Sequence, residues 1–116
     1  MARLLVLSLV VATIAGAAWI ENTVPAPAGA ITGLGWEDGD LWAVDANLDT
    51  VYRLDPEDGT VLDSYGITVP SGQHPTGIAV EDGYVYIGTW NSSTTGYVLK
   101  YSPDGDYLGS VNMCGG

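Results

Sequence analysis

The string "DANLDTVYRLD", Asp45 to Asp55, holds the residues whose spacing comes nearest to a known chemistry. Asp45, Asn47 and Asp49 fall on the first, third and fifth positions of a helix-flanked calcium loop, and Tyr52 takes the apolar eighth. Oxygen ligands at alternate positions let a short loop wrap a hard cation. The match then fails, because Thr50 stands where that loop needs glycine and Pro56 where it needs a bidentate carboxylate. No helical periodicity flanks it. The string reads as a polar turn between two strands, with a looser calcium site of another type as the alternative. No other cofactor is indicated.

Other candidates lie in similar turns. Thr89, Trp90 and Asn91 end an apolar run, and Gln73 and His74 precede another. The Trp90 ring is able to stack on a sugar or peptide ring, or to cover the edge of a sheet. His74 is the one histidine. No serine, cysteine or second histidine accompanies it, so it reads as a loop residue beside Pro75. Asn91-Ser92-Ser93 is a glycosylation sequon, used where a host glycosylates exported chains. The ligand-binding set is therefore Asp45, Asn47, Asp49, His74, Thr89, Trp90 and Asn91. No catalytic set is visible: the chain has no phosphate-cradling glycine loop, no zinc-ligand spacing and no nucleophile elbow. Asp55 and Asp58, in a turn on the other side, read as solvated.

The elements that position these residues are repeated. At an offset of 44 residues, Thr32-Gly33-Leu34 falls on Thr76-Gly77-Ile78, and Glu37-Asp38-Gly39 on Glu81-Asp82-Gly83. Leu41-Trp42-Ala43 falls on Val85-Tyr86-Ile87. Past a longer loop the offset becomes 47, then 46, which places Val51 on Val98 and Ser64 on Ser110. Each unit holds four short runs rich in Val, Ile, Tyr, Trp and Thr, as strands prefer. The first has Ile31–Trp36, Leu41–Val44, Val51–Leu54 and Thr60–Leu62; the second has Gly77–Val80, Tyr84–Ile87, Tyr97–Tyr101 and Tyr107–Val111. Asp38-Gly39, Asp58-Gly59, Asp82-Gly83 and Asp104-Gly105 read as hairpin turns, since glycine takes positive φ freely. The expected fold is all-β: two four-stranded antiparallel meanders. The second run of each unit is apolar at successive residues, which predicts cover on both faces. That pattern and the period favour propeller blades over a sandwich. Trp36 and Trp42 read as core.

Residues 1–18 read as a secretory signal peptide: Arg3, an apolar run from Leu4 to Ile14, then Ala15-Gly16-Ala17-Ala18 as cleavage site. The run is shorter than the roughly 20 residues of a spanning helix. The expected location is secreted, periplasmic or extracellular, with no membrane attachment after cleavage. Residues 19–30 read as a linker or a closing outer strand, 31–74 as the first blade and 75–116 as the second. All fourteen acidic residues lie after the leader, with only Arg53 and Lys100 against them, and the net charge is −11. That argues against nucleic acid and anionic membrane as partners, which need clustered Lys and Arg. The single cysteine, Cys114, has no internal partner.

"TGLGWEDGDLWAVD" with "VYRLDPEDGTVLDS", and "TGIAVEDGYVYIGT" with "VLKYSPDGDYLGS", resemble the blades of secreted NHL, YVTN and glutaminyl-cyclotransferase-like propellers. The resemblance covers roughly residues 31 to 111. It implies a propeller of four to eight blades. It implies ligand sites on the loops that hold the candidate residues. Two blades leave the others to a longer chain or to a homo-oligomer. The leading expectation is an N-terminal fragment serving as an exported module that binds a protein, peptide or glycan. The alternatives are part of a cyclotransferase-like or lactonase-like enzyme, and a two-blade oligomeric lectin.

Overall fold

The computed structural model describes residues 23–91 and 95–113, so the expected signal peptide of residues 1–18, Ser92–Thr94 of the sequon loop and Cys114 lie outside the described residues. Eight strands form, and no helix occurs among the described residues. They are β1 (Ile31–Glu37), β2 (Asp40–Asp45), β3 (Thr50–Leu54), β4 (Val61–Gly66), β5 (His74–Glu81), β6 (Tyr84–Trp90), β7 (Gly96–Tyr101) and β8 (Tyr107–Asn112). Two four-stranded sheets result, ordered β1-β2-β3-β4 and β5-β6-β7-β8. Every pairing is antiparallel between chain neighbours. Residues 23–30 form no strand.

The four Asp-Gly pairs do two different jobs. Asp38-Gly39 and Asp82-Gly83 have positive φ at both residues, 51° and 81° in one, 53° and 79° in the other. That is the twist-matched two-residue hairpin. At Asp58-Gly59 and Asp104-Gly105 only the glycine is left-handed, at 79° and 87°. Those loops are longer and are closed by Asp55 N–H to Thr60 O and Ser102 N–H to Asp106 O, both 2.8 Å. A register shift sits beside each. All four pairs join antiparallel neighbours with a left-handed glycine, as expected, but only two are two-residue turns.

Alternation along the strands builds the core. On the first sheet Gly33, Gly35, Trp42, Val44 and Val51 share a face. That face packs against Ile78, Val80, Val85, Ile87, Leu99 and Tyr101 of the second sheet. Fully burying each such aliphatic side chain contributes roughly 1.5–3 kcal/mol. Glycine lets the backbones come close, since a Cβ on Gly33 would lie 2.9 Å from Gly77 Cα. Cross-sheet hydrogen bonds fix the alignment. Thr32 Oγ1 donates to Pro75 O at 2.8 Å, and Gly83 N–H to Glu37 Oε1 at 3.0 Å. Tyr101 Oη accepts from Thr68 N–H at 3.0 Å.

Two expectations are corrected. Trp42 is core, but Trp36 is 62 % exposed. It pairs with Leu41 on the face turned away from the second sheet. Beside it, Val24–Pro27 borders an apolar recess with Ile31, Leu34, Leu41 and Leu54. The strands also run further than their apolar cores: β5 starts at His74, and β6 reaches Trp90.

Candidate functional site

The candidate residues converge at the end where β2 passes to β3, β4 to β5 and β6 to β7. Each reaches that end by a different local device.

Asp45 ends β2 and is only 1 % exposed. Its Oδ1 accepts the N–H groups of Asn47 (2.8 Å) and Leu48 (2.7 Å), and its Oδ2 that of Ala30 (3.1 Å). The bond from Leu48 holds the carboxyl below its ordinary value against the opposing effect of burial, helped by those from Ala30 and Asn47. Both oxygens are thus committed to the backbone. Asp45, expected among the ligand-binding residues, lies beneath the loop and shapes it. The calcium spacing is filled by main-chain donors instead. Asn47 stays exposed. Asp49 takes φ 47°, and its carbonyl accepts Ile67 N–H at 2.8 Å, which ties this loop to the β4–β5 connection.

Thr89 stands at the position of Asp45 in the second sheet and is also buried. Its hydroxyl donates to Gln73 Oε1 at 3.1 Å, while Gln73 Nε2 donates to Thr95 O at 3.3 Å. The buried Gln73 amide therefore staples the β4–β5 connection to the β6–β7 loop. Thr89, a candidate ligand contact by sequence, serves this staple. Asn91 caps the same loop: its N–H donates to Thr95 O, and its Oδ1 accepts Thr95 N–H, both at 3.3 Å.

His74 and Trp90 face each other across the β5–β6 ladder. They are strand-end residues rather than loop residues. Both are exposed, and Trp90 keeps 50 % of its surface open. Exposed at this end are the indole of Trp90, the imidazole of His74 and the amide of Asn47, beside the exposed side chain of Leu48 and partly exposed Asp49. These groups stack and hydrogen-bond. Among the described residues no group of three or more His, Cys, Asp or Glu is arranged to hold a metal ion.

The opposite end holds a cleft that the sequence does not announce. Glu37, Asp38, Asp40, Trp42, Arg53 and Asp63 line about 240 Å³ there, closed by Gly83 and Pro103 of the second sheet. Arg53 Nη1 pairs with Asp40 Oδ2 at 2.8 Å. Glu37 Oε2 and the Trp42 indole N–H are buried without a partner. The cleft draws on residues from four strands and three turns, so no local string carries it. The one signal available was Arg53, a rare cation in an acidic chain.

No family model matches the chain, and no curated protein matches it. Solved structures do. A protein of unknown function from Bacteroides caccae is similar, with a TM-score of 0.48 and 14% identity over 71% of this chain and 28% of that chain. The chain therefore spans 28% of the length of that structure.

Proposed function

We propose that the two sheets are successive blades of a β-propeller and that the chain is an exported module binding a protein, peptide or glycan. The carrying observation is the loop end. Asp45 and the Gln73–Thr89–Thr95 staple hold three connections in fixed shapes, and half-exposed Trp90 stands beside His74 on top of them. A rigid scaffold that presents an aromatic and a few polar groups is the usual build of a recognition surface. The repeat of 44 residues and the burial of β2 at successive residues, Trp42 to Asp45, support the blade reading; in β6 burial alternates and only one face is covered. Arg3 and the apolar run behind it support export through a signal peptide of residues 1–18.

The test is binding of the chain to glycan and peptide arrays, followed by titration of the best ligand. Trp90→Ala is expected to weaken that titration at least about fivefold, from stacking worth roughly 1–3 kcal/mol, with the circular dichroism spectrum unchanged. Equal affinity in Trp90→Ala would remove the loop end as the site.

A further inference from the structure

We infer that copies of this chain associate head to tail, the outward face of the second sheet of one copy receiving the outward face of the first sheet of the next. The inference rests on reading the sheets as successive equivalent units.

The contact already made inside the chain is the template. The first sheet offers Gly33, Trp42 and Val51, which the second sheet receives with Ile78, Val85 and Ile87, while Arg53 on the same face lines the cleft closed by Gly83 and Pro103. The repeat copies both halves onto the two outward faces. Gly77, Tyr86, Val98 and Lys100 stand on the outward face of the second sheet at the places of Gly33, Trp42, Val51 and Arg53. Leu34, Leu41 and Ala43 stand on the outward face of the first sheet at the places of Ile78, Val85 and Ile87. Val24–Pro27 borders Leu41 and Ala43 there and Ala43 is buried, so the part of this face open to a next copy is the β1 side, Leu34 and Trp36.

The glycines make the case sharpest. Gly33 lies against another backbone, where a Cβ would come within 2.9 Å of Gly77 Cα. Gly77 occupies the equivalent place, yet a Cβ there would meet nothing within 4 Å. Its φ lies outside the left-handed region, so the turn chemistry that favours glycine does not apply. A close approach by a second sheet gives this glycine a use. The residues that bond between the sheets are repeated as well. The positions of Thr32 and Pro75 recur as Thr76 and Ile31, with the Thr76 hydroxyl turned to Gly88 O at 3.3 Å in the single chain, and those of Glu37 and Gly83 recur as Glu81 and Gly39. Glu81 and Gly39 are both exposed in the single chain. Leu34 and Trp36 on one face and Val111 on the other are each more than half exposed. Paired apolar faces of this kind mark an association surface. Because the two faces differ, the contact is heterologous and closes into a ring when its rotation permits.

The test uses the full chain recovered after export, its native mass read by light scattering and native mass spectrometry over a range of concentrations. A discrete oligomer is expected. Gly77→Leu blocks one face and Trp36→Arg the other, at positions open in the single chain, and each alone is expected to give a folded monomer. Mixed together they are expected to form a one-to-one dimer, since each keeps the face that the other lacks. A parent chain that is monomeric at every concentration overturns the inference, as do variants that keep the parent's mass or a mixture that does not pair. Val111→Arg replaces Gly77→Leu if circular dichroism finds the latter unfolded. Array binding is read separately: loss of assembly with binding intact defeats this inference alone, and assembly without binding defeats the functional reading alone.

Discussion

Where β2 and β6 give way to their loops, the two sheets bury different polar groups at the same place. The first uses the Asp45 carboxylate to collect three backbone donors, one of them fifteen residues back in the chain. The second uses the Thr89 hydroxyl and passes the work of holding the loop to Gln73. The strand pairing around them is alike, so the difference belongs to the loops: one carboxylate spans Ala46–Asp49, while the longer Asn91–Thr95 loop is held by Asn91 from within and by Gln73 from outside. A second contrast runs alongside. Gly33 is jammed against a neighbouring sheet, and Gly77 is not. Equivalent residues thus have unequal worth, set by what packs on them.

The largest effect is expected at the jammed glycine. Gly33→Val overlaps the Gly77 backbone and cannot be relieved by turning a side chain, so it should cost about 3 kcal/mol in urea unfolding. Gly77→Ala should change the folding stability of a single chain by less than about 0.5 kcal/mol. Equal losses at the two positions would break the contrast.

Next comes the buried cap. Asp45→Ala leaves the N–H groups of Ala30, Asn47 and Leu48 without their acceptor, and should cost about 2–3 kcal/mol. Thr89→Val removes one donor to Gln73 and should cost about 1 kcal/mol. The midpoints of urea unfolding at constant slope measure both.

The smallest effect sharpens the same pair. The folded state holds Asp45 below its ordinary value of 3.8, so its contribution is complete above that value and fades as pH falls beneath it. The stability gap between the parent and Asp45→Ala should therefore narrow from about pH 5 to about pH 3. The gap for Thr89→Val should stay level, because neither Thr89 nor Gln73 titrates. Unfolding curves at the two pH values decide it.

Much of this fold is legible in the residues. Asp-Gly pairs and apolar runs locate all eight strands and their meander order, because neighbouring strands need only a turn between them. Strand ends are less legible: Pro75 suggests a loop, yet it sits beside a bulge, where a ladder tolerates a missing donor. Trp36 suggests core, but alternation puts it on the sheet face with no sheet against it. The role of Asp45 is hidden for a different reason. Its string spaces oxygens as a cation site does, and only the folded chain brings Ala30 and the turn at Asp49 close enough to use them. The acidic cleft stays unread because its walls meet only when the two sheets dock.

The meander also governs how the chain finds its shape. Every ladder joins strands adjacent in sequence, so each sheet closes loops of a few residues and can zip up on its own. The contact between Gly33 and Gly77 spans a far longer stretch of chain, and its loop-closure entropy is met only after both ladders exist. Docking of the sheets is then the late step. Weakening it should quicken unfolding while leaving the refolding rate nearly untouched.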